Sequence, residues 1–166
     1  MKKRIHLFLL LMCLAGAVSA QVPAKAVPVF RFFRFDKTLY TDKDLPQGRL
    51  LFFLFFDVNC EHCQRTVKYL GEHYKPSERA SLIMVSMDSP EKINQFMATY
   101  GQQLKMQKNL TILLDREYQF ITKFQPKKYP AMFLYSSKRQ LLEYNDNEER
   151  VPAFISTIYS PVNKKK

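Results

Sequence analysis

Residues 50–67 read LLFFLFFDVNCEHCQRTV. Leu50–Phe56 is a run of seven apolar side chains, four of them Phe. A run this short and this rich in aromatics predicts a strand buried on both faces of a sheet. Asp57-Val58-Asn59 breaks it, and Cys60-Glu61-His62-Cys63 follows. From Cys63 onward Val67, Leu70 and Tyr74 recur at a spacing of three to four, which predicts a helix. The cysteines therefore stand where a buried strand hands over to a helix. The start of a helix presents unpaired N–H groups and partial positive charge, which favour a thiolate over a thiol at Cys60. Two intervening residues put the second sulfur within disulfide reach across one turn. His62 can add charge or a hydrogen bond near Cys60, and either makes the disulfide more oxidising.

Working outward, Val29–Phe35 (VFRFFRF) predicts a strand and residues 36–48 a polar, turn-rich stretch. Leu82–Met87 predicts another strand. Ser89-Pro90-Glu91 is a helix start, with a capping Ser, Pro at the first position and an acid in the first turn. Ile93, Phe96, Met97 and Tyr100 give that helix an apolar face, and Gly101 ends it. Thr111–Leu114 predicts a strand, and Asp115 caps a helix carrying Tyr118, Ile121 and Phe124. Ala131–Tyr135 and Gln140–Tyr144 predict hairpin strands about a turn at Ser136–Arg139, and Val151–Tyr159 a last helix. Strands separated by helices imply crossovers, hence an α/β fold with a central mixed sheet flanked by helices.

The 166 residues are 46% apolar and 25% charged, enough for one globular domain with a core. The net charge of +11 and the three cysteines hint at a nucleic-acid binder with an odd thiol. Residues 1–20 (MKKRIHLFLLLMCLAGAVSA) remove both hints. A basic start, an apolar stretch from Leu7 to Val18 and the small-residue site Val18-Ser19-Ala20 make a secretory signal peptide. The stretch is shorter than the ~20 residues of a spanning helix, although a retained anchor is the alternative. Cys13 lacks the small residue that a lipidated cysteine needs before it. Without this segment 146 residues remain, with a charge of +8 and the two cysteines Cys60 and Cys63. The mature chain is expected to be secreted into a disulfide-permitting compartment, the bacterial periplasm, and not to span the membrane. Residues 21–28 (QVPAKAVP) read as a linker, 29–160 as the domain and 161–166 as a basic tail. The charge is scattered, with small clusters at Lys127-Lys128 and Lys164–Lys166, and carries no nucleic-acid motif.

Other roles for the cysteine pair are weaker. A structural bridge this local closes so short a loop that it constrains the unfolded chain little. Zinc wants four ligands, and here only His73 stands nearby with no second cysteine pair. A degenerate pair without redox chemistry is the third alternative. Met84, Met87 and Met97 sit in core-like patterns rather than as ligands.

The segment FFDVNCEHCQ resembles the active-site segment of thioredoxin-fold proteins. From Val29 to Tyr159 the layout is similar to secreted thiol–disulfide oxidoreductases of the TlpA/ResA type. FDKTLYTDKDLPQGR looks like that family's N-terminal β-hairpin, and residues 82–101 like its inserted strand–helix unit. The resemblance implies that Cys60 attacks, Cys63 resolves, Glu61 and His62 tune the potential, and Tyr129-Pro130 is the cis-proline that shapes the substrate groove. It implies no cofactor beyond the Cys60–Cys63 disulfide, no metal, and a monomer. Its partners would be the thiols and disulfides of exported proteins and a membrane redox protein. Direction stays open: Glu61 matches reductase-type members, whereas His62 matches the C-x-H-C of oxidants. Departures are clear. Asn59 replaces the usual Trp, and Leu54 and Thr66 stand where related proteins carry an acid, leaving Asp57, Glu61 and His62 as candidates for proton handling. Peroxiredoxins share the fold but present a Thr three residues before their cysteine, where this chain has Asp57. Copper carriers of the Sco type use C-x-x-x-C. The alternatives to an oxidoreductase are a non-catalytic binding module and a thiol peroxidase.

Overall fold

The computed structural model describes residues 22–75 and 79–160. The residues read as a signal peptide, 1–20, and as a basic tail, 161–166, lie outside the described residues. In chain order the elements are β1 (Arg31–Phe33), β2 (Leu39–Thr41), β3 (Leu50–Phe55), α1 (Glu61–His73), β4 (Ala80–Ser86), α2 (Pro90–Tyr100), α3 (Gln102–Lys105), β5 (Leu110–Leu114), β6 (Ala131–Tyr135), β7 (Leu141–Asn145) and α4 (Val151–Tyr159). The strands form one sheet in the order β2-β1-β5-β4-β3-β6-β7. β3 lies parallel to β4, and β4 to β5; the other pairs are antiparallel, so the sheet is mixed.

The apolar run around β3 has a direct cause. Successive side chains of a strand point to opposite faces. Phe52, Leu54 and Phe56 enter a core with Cys63, Val67 and Leu70 of α1, Ile93 and Met97 of α2, and Phe154 and Ile158 of α4. Leu51, Phe53 and Phe55 enter a second core on the other face. That second core is built mainly of rings. Phe124 meets Phe120 at 4.1 Å, Phe53 at 5.1 Å, Phe133 at 5.8 Å, Phe30 at 5.9 Å, Phe32 at 6.3 Å and Tyr135 at 6.4 Å between centroids. Offset and edge-on ring pairs of this kind add to the burial energy.

Several elements differ from expectation. The stretch 36–48 contains β2, which pairs with β1 from Arg31↔Thr41 to Phe33↔Leu39 and makes the N-terminal hairpin. The expected helix after Asp115 is a short π-helical turn, Phe120–Phe124. Asp115 does cap it, accepting from the amides of Gln119 (2.9 Å) and Phe120 (2.8 Å). Tyr118, assigned to its apolar face, instead adopts φ 54° and is 62% exposed. The wider π turn aligns Phe120 with Phe124, and both are fully buried. Met87 lies beyond the end of β4 and is exposed, unlike Met84 and Met97.

Residues 22–28 do not behave as a free linker. Ala26 bridges Gln140, the Val27 amide donates to the Arg139 carbonyl (3.0 Å), and the Leu141 amide to the Lys25 carbonyl (2.8 Å). The Ala24 amide reaches the Phe124 carbonyl (3.0 Å), and Tyr135 Oη donates to the Ala24 carbonyl (3.0 Å). Among the described residues no helix is long and apolar enough to cross a membrane.

Candidate active site

The loop between β3 and α1 is fixed mainly by its backbone. Asp57 Oδ1 accepts from the Asn59 amide at 2.7 Å, and the Asp57 carbonyl from the Cys60 amide at 3.3 Å. The Val58 amide donates to Asp88 Oδ2 at 3.1 Å, and Asp88 is itself held by Ser86 Oγ at 3.0 Å. Asp88 follows β4, so the neighbouring parallel strand positions the loop. Cys60 is the N-cap of α1, with extended backbone (φ −80°, ψ 112°), and its carbonyl accepts the Gln64 amide at 3.0 Å. The first turn therefore begins at the residue carrying the first thiol.

The two thiols lie in different environments. Cys60 is half-buried, whereas Cys63 is fully buried in the α1-side core. Burial pushes the Cys63 thiol far above its ordinary range. A hydrogen bond donated by the Asp57 backbone opposes this, and the adjoining Cys60 sulfur adds to it. Leu54 and Thr66 are both buried, and neither carries an acid. The Thr66 hydroxyl has no hydrogen-bond partner among the described residues. Asp57 is the carboxylate whose field reaches Cys63.

The second wall comes from the loop before β6. The Tyr129–Pro130 peptide is cis, and Pro130 is buried. The Tyr129 ring rests on Phe55 at 4.8 Å. Burial raises its phenol, and the fields of Asp57, Asp88 and Cys63 raise it further. Ala131, next after Pro130, pairs with Phe55 at the end of β3, so this loop stands at the end of the sheet from which the cysteine loop leaves. The Lys127 amide donates to Tyr144 Oη at 2.9 Å, which ties the loop to β7. A cavity of about 200 Å³ lined by Phe55, Ile121, Pro126, Lys127, Lys128 and Tyr129 opens beside it. On the other flank of Cys60 a cleft of about 340 Å³ runs between α1 and α2, past Asn59, Gln64, Lys92 and Gln95.

Of the sequence-derived candidates, Cys60, Cys63, Asp57, Tyr129 and Pro130 come together. Glu61 and His62 do not converge on the thiols. Glu61 is 81% exposed and lies 3.8 Å from Arg65. His62 puts Nδ1 2.6 Å from Glu148 Oε2. Glu148 and Asp88 were not among the sequence candidates. Ser86 and Asp88 sit at the end of a buried strand, a place where such a carboxylate could have been sought. Nothing near Glu148 in the sequence points to His62.

This architecture is that of the thioredoxin-like redoxins. The thioredoxin domain of a thiol-disulfide oxidoreductase from Bacteroides vulgatus superposes with a TM-score of 0.65 at 12% identity, covering 83% of this chain and 98% of that one. A thioredoxin-like protein from Aeropyrum pernix gives 0.63 at 14% identity (78% and 89% covered). A putative thioredoxin from Neisseria meningitidis gives 0.61 at 20% (84% and 93%). No curated protein matches the sequence. The chain belongs to the AhpC/TSA family, whose profile matches residues 21–144, and members of that family are typically oxidoreductases.

Proposed function

We propose that this protein is a thiol–disulfide oxidoreductase of the TlpA/ResA type, exported to the bacterial periplasm, that reduces or exchanges disulfides in exported proteins. The observation that supports it best is the asymmetry of the cysteine pair. An accessible thiol at a helix start and a buried thiol beneath it divide attack from resolution. In the forward cycle the Cys60 thiolate attacks one sulfur of a substrate disulfide. The Cys60–substrate mixed disulfide forms, and the other substrate sulfur leaves as a thiolate and takes up a proton. Cys63 then gives up its proton and attacks the Cys60 sulfur. The Cys60–Cys63 disulfide forms, and the second substrate thiol is released. Two electrons pass to the substrate, and a dithiol on a membrane partner restores the pair by the reverse exchange. Tyr129 and Pro130 line the groove in which the substrate backbone lies. The basic start of the chain and the residues up to Ala20 support export.

A redox titration tests this. Thiols counted across a glutathione series should show one two-electron transition between about −120 and −270 mV, the range of known oxidoreductases. A pair that stays oxidised below about −300 mV would favour a structural bridge or a binding module instead. The raised Cys63 thiol adds a pH signature. Its thiolate fraction grows about tenfold per pH unit below its pKa, and only the thiolate attacks. Release of a preformed Cys60 mixed disulfide, followed by stopped flow, should therefore accelerate by about that factor per unit between pH 6 and 9. A flat profile would place another step in control.

A further inference from the structure

The start of α1 carries His62 and Arg65, and both are held by one carboxylate from far along the chain. His62 Nδ1 lies 2.6 Å from Glu148 Oε2. Arg65 Nε lies 2.7 Å from Glu148 Oε1, and its Nη2 3.3 Å from Oε2. Arg65 Nη2 also lies 2.9 Å from His62 Nδ1. A ring nitrogen that close to a carboxylate oxygen carries the proton and donates it, so Arg65 directs its hydrogen bonds to the carboxylate and not to the ring. Glu148 opens a short 3-10 turn, Glu148–Arg150, that runs directly into α4. Its side chain is only 18% exposed, against 62% for His62. The fold thus fixes the carboxylate and holds the histidine against it. Burial works to raise the Glu148 carboxyl, but the hydrogen bonds from Arg65 and His62 outweigh it and hold the carboxyl below its ordinary value.

The charge balance around Cys60 follows from this. Glu61 is its neighbour in sequence, Asp57 ends the strand side of the loop, and Asp88 holds the Val58 amide. With Glu148 these make four carboxylates. Arg65 and Lys92 of the adjoining cleft oppose them. Positive charge near the attacking sulfur stabilises the thiolate and makes a disulfide oxidising. Here the Arg65 guanidinium, whose charge reaches Cys60, is paired with the Glu148 carboxylate.

We propose that Glu148 is a positioning residue for the redox pair: it holds His62 and Arg65, offsets the Arg65 charge at Cys60, and makes this protein a reductant of substrate disulfides. The inference rests on the oxidoreductase reading above and gives it a direction. The histidine of the C-x-H-C pattern points toward an oxidant; its partner in the fold reverses that.

The test is the equilibrium in which protein dithiol and glutathione disulfide give protein disulfide and two glutathione thiols. In the wild-type protein this equilibrium should lie well toward protein disulfide and glutathione thiols. E148Q keeps the shape and removes the charge. It should shift the equilibrium about tenfold toward the dithiol, about 30 mV more oxidising. The Cys60 thiolate, followed by its absorbance at 240 nm, should then form at lower pH than in the wild type. E148D should restore most of the wild-type behaviour. R65Q should shift the equilibrium about as far the other way, and E148Q/R65Q should return it close to the wild-type value. A purely structural role for Glu148 would lower the melting temperature and leave potential and thiolate titration unmoved. That outcome overturns the proposal, as does a wild-type equilibrium that lies toward the dithiol. If E148Q does not fold, R65Q decides alone, because an unmoved potential shows that the Arg65 charge does not reach Cys60. A wild-type protein with no two-electron transition would overturn the oxidoreductase reading itself, and the inference with it.

Discussion

Replacing Cys60 with Ala is expected to lower the rate of insulin-disulfide reduction by more than about a thousandfold, the scale on which loss of a nucleophile is felt. Cys63→Ala should behave differently. Cys60 can still attack, but nothing resolves the product, so the variant accumulates a one-to-one mixed disulfide that mass spectrometry detects and a reducing agent releases. The contrast comes from geometry. Cys60 caps the helix and is half-buried, while Cys63 is sealed in the core with Val67 and Leu70. A substrate disulfide can reach the first sulfur and not the second. Full turnover by Cys60→Ala would end the oxidoreductase reading. Mixed disulfides trapped by Cys60→Ala, rather than by Cys63→Ala, would reverse the two roles.

Phe124→Ala is expected to cost about 3–5 kcal/mol, the range for truncating a buried Phe. For a domain of this size that is a fall of roughly 10–20 °C in melting temperature. Phe124 lies in the π-helical turn and contacts six rings drawn from the N-terminal segment, β1, β3, β6 and the turn itself. Those elements lie far apart in the chain and meet on this face, so the cavity cannot close without moving several of them. The site lies mostly on the other side of the sheet, with Cys63 in the α1 core. Reductase activity per folded molecule should therefore persist at 25 °C. A loss under about 1 kcal/mol would show that the ring cluster relaxes into the gap.

Much of this was legible in the sequence, for reasons that can be named. The run Leu50–Phe56 reads as doubly buried because each face of β3 meets its own core. The cysteine pair reads as a site because its chemistry comes from local backbone, the end of a strand and the start of a helix. What stayed hidden depends on long-range contact. Glu148 stands 86 positions after His62 in the acidic stretch NDNEER, and no period or spacing links the two. Without it, His62 reads as a tuner of Cys60. β2 is three residues long, LYT, too short for alternation to register. Tyr118 lies ahead of the π turn with a left-handed backbone, so Phe120 and Phe124 carry the buried face and Ile121 packs at its edge. Residues 22–28 show no apolar period, since they bind through their main chain, and composition is blind to that.

That main-chain pairing also bears on how the molecule keeps to itself. β7 is the outermost strand on its side of the sheet, and Leu142 on it is 54% exposed. A bare outer strand is a template on which another molecule can add, the first step toward aggregation. Lys25, Ala26 and Val27 occupy the start of that template, at Arg139–Leu141. The folding unit accordingly starts at Ala24, ahead of the first aromatic strand. A version shortened to Val29 would keep both cysteines and the helices around them, yet uncover a sticky seam. Three modest residues that carry no chemistry guard the start of that edge.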